Sequence, residues 1–159
     1  HIGKVENMRG VYTADIKLAG FNSTKSALLI QAPSLKAVEI ISAHLGNVGT
    51  NVTNQQLEAA ISRVATLGTP VGTAVTPNPE EVGDQAAGST VTGGLSTDVT
   101  AVGVNVDHQG FASLAGYQFA PVPEERPLIP PGGAAVLRLV VAPGVAFDAV
   151  VQVKFREIG

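Results

Sequence analysis

Apolar and polar residues alternate with a period of two along much of the chain, as in strands that turn one face to a core. Near the start Tyr12, Ala14, Ile16 and Leu18 alternate with Thr13, Asp15 and Lys17. The pattern returns where Val102, Val104 and Val106 alternate with Gly103, Asn105 and Asp107. It recurs where Ala135, Leu137, Leu139 and Val141 oppose Val136, Arg138 and Val140. It is cleanest in the last segment, where Phe147, Ala149, Val151, Val153 and Phe155 face away from Asp148, Val150, Gln152, Lys154 and Arg156. Three more strands are predicted: residues 27–32, stopped by Pro33; residues 38–45, ending at Gly46-Asn47; and residues 111–119, with Tyr117 and Phe119 on one face.

Residues 55–67 are ambiguous. Leu57, Ala60, Ile61 and Val64 stand at helical spacing, and the residue types favour a helix. Leu57, Ala59, Ile61, Ala65 and Leu67 also fit one face of a strand, interrupted only by Arg63. The strand-like neighbours favour a strand, with one short helix as the alternative.

Two stretches lack this order. Residues 69–94 carry Pro70, Pro77 and Pro79 among several glycines and read as a long loop or loosely paired region. Residues 121–133 carry Pro121, Pro123, Pro127, Pro130 and Pro131. Proline has no amide donor, so this stretch is excluded from a sheet centre and reads as a rigid extended connection. About eight strands with regular turns predict an all-β fold, a jelly-roll-like β-sandwich. Residues 8–159 are read as one such domain. Residues 1–7, which precede Met8, are read as a vector-derived remnant. Segments such as 134–142, apolar on both faces, suggest an outer face that is covered, and hence a subunit contact.

Composition sharpens this. Of 159 residues, 45% are hydrophobic and only 14% charged, too few charges to clothe a small domain fully. A surface partly buried against other subunits follows as an expectation. The formal charge of −3 and the lack of like-charge runs argue against a nucleic-acid partner. No apolar run reaches the length of a membrane span, and no signal peptide is recognisable. Cysteine is absent, which excludes disulfides and thiolate chemistry.

No arrangement of residues points to catalysis or to a cofactor. His1, His44 and His108 show no metal-ligand spacing. Asp107 and His108 are neighbours on one strand, so their side chains should leave opposite faces and could not work as orienter and base. Glu124-Glu125-Arg126 is the densest charge cluster, and its place in a proline-rich connection suits a solvated turn or an ion pair better than an acid–base pair. Gly93-Gly94 lacks the Lys-Ser/Thr of a phosphate loop. Asn22-Ser23-Thr24 and Asn51-Val52-Thr53 match the glycosylation triplet, which matters only in a secretory setting. Few aromatics and no tryptophan weaken the case for a stacking surface.

The run Ile30-Gln31-Ala32-Pro33, the strand after it, and the Thr76-Pro77 loop resemble a group of small phage and prophage proteins. So do the segment 119–127, the strand around Leu137-Arg138-Leu139 and the last strand. The resemblance spans most of residues 11–159. It implies a β-sandwich component of the virion, such as a head-decoration protein that forms homotrimers on a major capsid protein lattice. Under that expectation the chain is not an enzyme and needs no cofactor. Pro121, Pro123, Glu124, Glu125, Arg126 and Pro127, together with residues 69–94, would then be the gripping loops. The alternative is a ligand- or glycan-binding β-sandwich module of a tail or cell-surface protein.

Overall fold

The computed structural model describes residues 9–50 and 52–159. The expectations for residues 1–7, for His1 and for Asn51 lie outside the described residues.

Alternation becomes burial. In β12 (Phe147–Ile158) every second residue from Phe147 to Phe155 is buried, and β1 (Val11–Phe21) lies antiparallel beside it with Tyr12 opposite Phe155. Their rings stack with centroids 5.7 Å apart, and Phe21 meets Phe147 edge-on at 6.2 Å. Aromatic pairs of this kind add to the burial of their area. On the other flank of β12 runs β3 (Ala37–Asn47), whose register slips by one residue opposite Lys154 and Phe155. That bulge lets Val38 and Ile40 on one side of it, and Ala43 and Leu45 on the other, all reach the core.

The described residues form twelve strands in two six-stranded sheets, with every pairing antiparallel. The first sheet runs β10-β3-β12-β1-β6, with β9 (Tyr117–Phe119) beside β10 (Leu128–Ile129) along β3. The second runs β5-β7-β2-β11-β4-β8. Its inner strands are β7 (Thr90–Thr97), β2 (Leu28–Gln31), β11 (Ala134–Leu139) and β4 (Gln56–Thr66). Its edges are β5 (Val71–Val75) and β8 (Ala101–Ala112). Leu28, Ile30, Ile61 and Leu137 from this sheet share one apolar cluster with Tyr12, Ile40, Val153 and Phe155 from the first. The result is a β-sandwich, all-β as the pattern predicts.

Residues 55–67 resolve to a strand. Leu57, Ala59 and Ile61 enter the core, while Arg63, the residue that breaks the apolar face, spans the edge of the sandwich and donates to the Leu128 carbonyl at 2.7 Å. Tertiary pairing on both sides of β4 overrides its helical propensity.

Other expectations need correction. Of the two readings for residues 69–94, the loosely paired region is the one found: they hold β5, β6 (Asn78–Pro79) and the start of β7. Their apolar alternation is weak because β5 is an exposed edge and β6 only a two-residue cap on β1. Residues 111–119 are two strands in different sheets, separated by a turn at Gly116, whose φ of +87° favours glycine. Val102 and Val104 are exposed despite their alternation, because β8 is an edge strand with repeated register slips against β4. Residues 121–133 include one 3-10 turn, Pro123–Glu125, and the short edge strand β10.

The doubly apolar character of β11 has an explanation within the chain. Val136 and its cross-strand partner Leu29 face away from the main core and are nevertheless buried, against Leu95 and Val99, with Val64 and Leu67 packed around them. Leu95 reaches that side because Gly94, at φ +56°, interrupts the alternation of β7. The cover expected from another subunit is thus supplied at this point by the chain itself. The low charge remains as a reason to expect assembly.

Candidate functional site

The proline-rich connection lies along the β3 edge of the first sheet. Its two acids, Glu124 and Glu125, sit exposed on the 3-10 turn, which is closed by the Glu125 N–H donating to the Val122 carbonyl at 2.9 Å. Arg126 turns back on the protein. Its guanidinium lies 3.9 Å from Glu39 on β3, and Arg156 of β12 approaches the same carboxylate oxygen to 3.8 Å. The Pro127 carbonyl accepts the Ile40 N–H at 3.0 Å. Of the six residues singled out in this connection, Arg126 and Pro127 are therefore anchors, while Pro123, Glu124 and Glu125 are free to meet a partner and Pro121 is half-buried.

The histidines lie on opposite outer faces. His44 projects from β3 on the outer side of the first sheet, paired across the strands with Gln152 and Gln118. His108 lies on the outer side of the second sheet, in direct contact with the Glu58 carboxylate of β4. Asp107 points the other way, as adjacent strand positions require. It accepts the Tyr117 hydroxyl at 2.5 Å and a Gln109 amide N–H at 2.8 Å.

Glu58 and His108 border a groove of about 540 Å³ whose rim includes Gln56, Gly110, Val141 and Gly144. A carboxylate-held imidazole can serve as a base. The lining gives it no hydroxyl, thiol or amine to activate. The nearby Ser62 is fully buried, donates to Asn105 at 2.6 Å and accepts from Arg138 at 3.3 Å. Among the described residues no three His, Cys, Asp or Glu side chains gather in a way that could hold a metal.

Two buried phenols and one half-buried acid depart from their ordinary ionisation. Burial, then the hydrogen bond to Asp107 and the charge of that carboxylate, push the Tyr117 hydroxyl far above its ordinary value. Burial, with Glu157 and Asp84 nearby, raises Tyr12, whose hydroxyl donates to the Gln85 carbonyl at 3.0 Å. Asp84 is lowered, chiefly because it accepts the Gly10 N–H.

At the end of the sandwich beyond β3 and β8, three connections are tied into one unit. Gln55 uses its side-chain amide like a backbone peptide, donating to the Val145 carbonyl at 2.6 Å and accepting the Val145 N–H at 3.2 Å. Ser113, almost fully buried, accepts the Gln55 N–H at 3.1 Å and donates to the Thr53 carbonyl at 3.1 Å.

Sequence reasoning missed the Glu58–His108 pair and this three-loop unit. The partners lie 50 positions apart in the first and 90 and 58 in the second, and only strand register and loop geometry bring them together. Glu58 and His108 stand among other polar residues of β4 and β8, so nothing in the sequence marked the two out as a pair.

No protein-family model matches the chain, and no curated protein or solved structure is detectably similar to it. Fold and surface define the protein as an antiparallel β-sandwich. Among the described residues no helix is long and apolar enough to cross a membrane.

Proposed function

We propose that the chain is a non-catalytic structural protein of a bacteriophage virion, one that decorates and stabilises the capsid through oligomeric assembly, as a homotrimer. The observation that carries this reading is the strand order. Apart from the excursion through β5, β6 and β7, β1-β12-β3-β9 lies against β2-β11-β4-β8. That order is compatible with a jelly roll, an architecture that recurs in viral capsids. The step from that order to a virion is an analogy of fold, joined to the sequence resemblance. The sparse charge and the exposed Pro123, Glu124 and Glu125 beside an anchored Arg126 suit a rigid body that meets neighbours through loops.

The groove beside Glu58 and His108 is an observation in favour of the second reading, a ligand- or glycan-binding module. Its lining contains no aromatic ring on which a sugar could stack.

Immunogold electron microscopy of phage particles purified from the source, with an antibody raised against this chain, tests the proposal. Regular label on the capsid is expected. Particles that carry no label would overturn it.

A further inference from the structure

The connection between β6 and β7, residues 80–89, is held to the sandwich almost entirely by polar bonds. Of its residues only Ser89 is buried, and only Ala87 packs against the main core. Among the described residues a single backbone pair, the Glu80 N–H on the Val11 carbonyl at 2.9 Å, ties it to β1. Nearly all its other ties end on a carboxylate. Asp84 accepts the Gly10 N–H at 2.8 Å and, within the connection, the Gln85 N–H at 2.8 Å. Glu157 of β12 accepts both the N–H and the hydroxyl of Ser89, at 2.7 and 2.6 Å. The Thr13 hydroxyl donates to Glu80, and the Arg9 guanidinium lies 3.3 Å from Glu81. Tyr12, only 1% exposed, donates its hydroxyl to the Gln85 carbonyl and so ends beneath this segment.

We propose that residues 80–89 are an acid-released strap, which lifts as one unit while both sheets stay folded and thereby uncovers the hydroxyl end of Tyr12. The inference does not depend on the assembly reading above.

A segment that buries little apolar surface opens at a small fraction of the free energy that unfolds the core. What holds this one is hydrogen bonding to charged acceptors, which is stronger than bonding to neutral ones and is lost when the carboxylate takes up a proton. Arg9 and Lys36 face Asp84, Lys154 lies 3.7 Å from Glu80, and Tyr12 is the titratable group beside both Asp84 and Glu157. The Gly10 N–H holds the Asp84 carboxyl below its ordinary 3.8. Its part in the hold is therefore complete above that value and is lost as pH falls through the lowered one. The centre of the sandwich has no such dependence, because Ile40, Leu137, Val153 and Phe155 meet there through apolar contact. Acid therefore acts on the strap before it acts on the sheets.

Nitration with tetranitromethane tests this on the full chain, whose two tyrosines serve as probe and control. Tyr12 lies under the strap, whereas Tyr117 is buried at the β8–β9 corner. In the Asp84→Asn/Glu157→Gln double variant at neutral pH, Tyr12 should react at least about tenfold faster than in wild type, as local opening allows, with Tyr117 unchanged. Removing two carboxylates also eases the ionisation of Tyr12, so hydrogen exchange is read beside nitration. Amides of Gly10 and residues 80–89 should lose protection while those of β3 and the centre of β12 keep it. In wild type the same local loss should appear on going from about pH 6 to about pH 3, after correction for intrinsic exchange rates. Ser89→Ala, which removes one donor and no charge, should give a smaller loss and covers the case in which the double variant does not fold. Protection of 80–89 that is unchanged in the folded variants, or lost only together with that of β12, would overturn the inference.

Discussion

The Tyr117 hydroxyl donates to the Asp107 carboxylate at 2.5 Å, joining β9 of the first sheet to β8 of the second at the corner where the chain changes layers. Tyr117 is buried and its ring lies 5.9 Å from Phe111, while Asp107 is half-buried, so the bond is partly shielded from water. Tyr117→Phe keeps the ring and leaves Asp107 with one donor fewer. A loss of about 1.5–3 kcal/mol is expected, the range for hydrogen bonds to charged groups. Denaturant unfolding measures it, and a loss below a few tenths would show the corner is held by packing alone.

The same tyrosine sets an alkaline limit. The folded protein raises the ionisation of Tyr117 and Tyr12 above 10.0, whereas the unfolded chain ionises near that value. Their contribution to stability is therefore complete below 10.0 and is lost as pH rises from there toward the folded values. Unfolding free energy should fall between about pH 9 and about pH 11, and fall less steeply in Tyr117→Phe. Parallel curves for the two proteins would contradict this.

Leu29 is fully buried on the outer side of the second sheet, against Leu95, Val99 and Val136 of the same chain. Leu29→Ala should cost about 2–3 kcal/mol, in the lower part of the range for buried leucine because the cluster is small. Since the cover is intramolecular, the cost should not change with protein concentration. A penalty that disappears on dilution would mean that another subunit shares the cover.

That outer cluster shows where the sequence was readable and where it was not. Val136 and Leu29 were recognisable as apolar on a face that should be polar. The covering residues were not, because Leu95 reaches them only through the break in alternation at Gly94. In the same way β1, β3 and β12 declared themselves, since each has one face in the core and one in solvent. Phe111, Tyr117 and Phe119 stand at even spacing that conceals a change of sheet. The run from Pro121 to Pro127 was legible as a connection, but the return of Arg126 to Glu39 depends on which strand lies beneath it. The pair Glu58 and His108 required a register that residues 55–67 could not supply while helix and strand both fitted.

Glu39 stands between the guanidinium groups of Arg126 and Arg156, at 3.9 and 3.8 Å. Glu39→Gln leaves two neighbouring cations uncompensated and should cost about 1 kcal/mol, the upper range for pairs near a surface. Half-molar salt should remove much of that difference by screening the charges. An effect that grows with salt would argue against an electrostatic anchor.

The side chain of Gln55 replaces a missing strand partner for Val145 with its two hydrogen bonds. Gln55→Ala should lose roughly 1–2 kcal/mol, given the usual contribution of each bond. Hydrogen exchange at the Val145 amide should accelerate, while amides of β12 keep their protection. Unchanged exchange at Val145 would show that the loop is held by other contacts.

The central claim is that this sandwich exists to assemble with copies of itself. Light scattering of the purified chain at micromolar concentration tests it most directly. The mass expected is a defined multiple of the 16.2 kDa monomer, three copies by the trimer reading, and stable on dilution. A monomer throughout that range would contradict it.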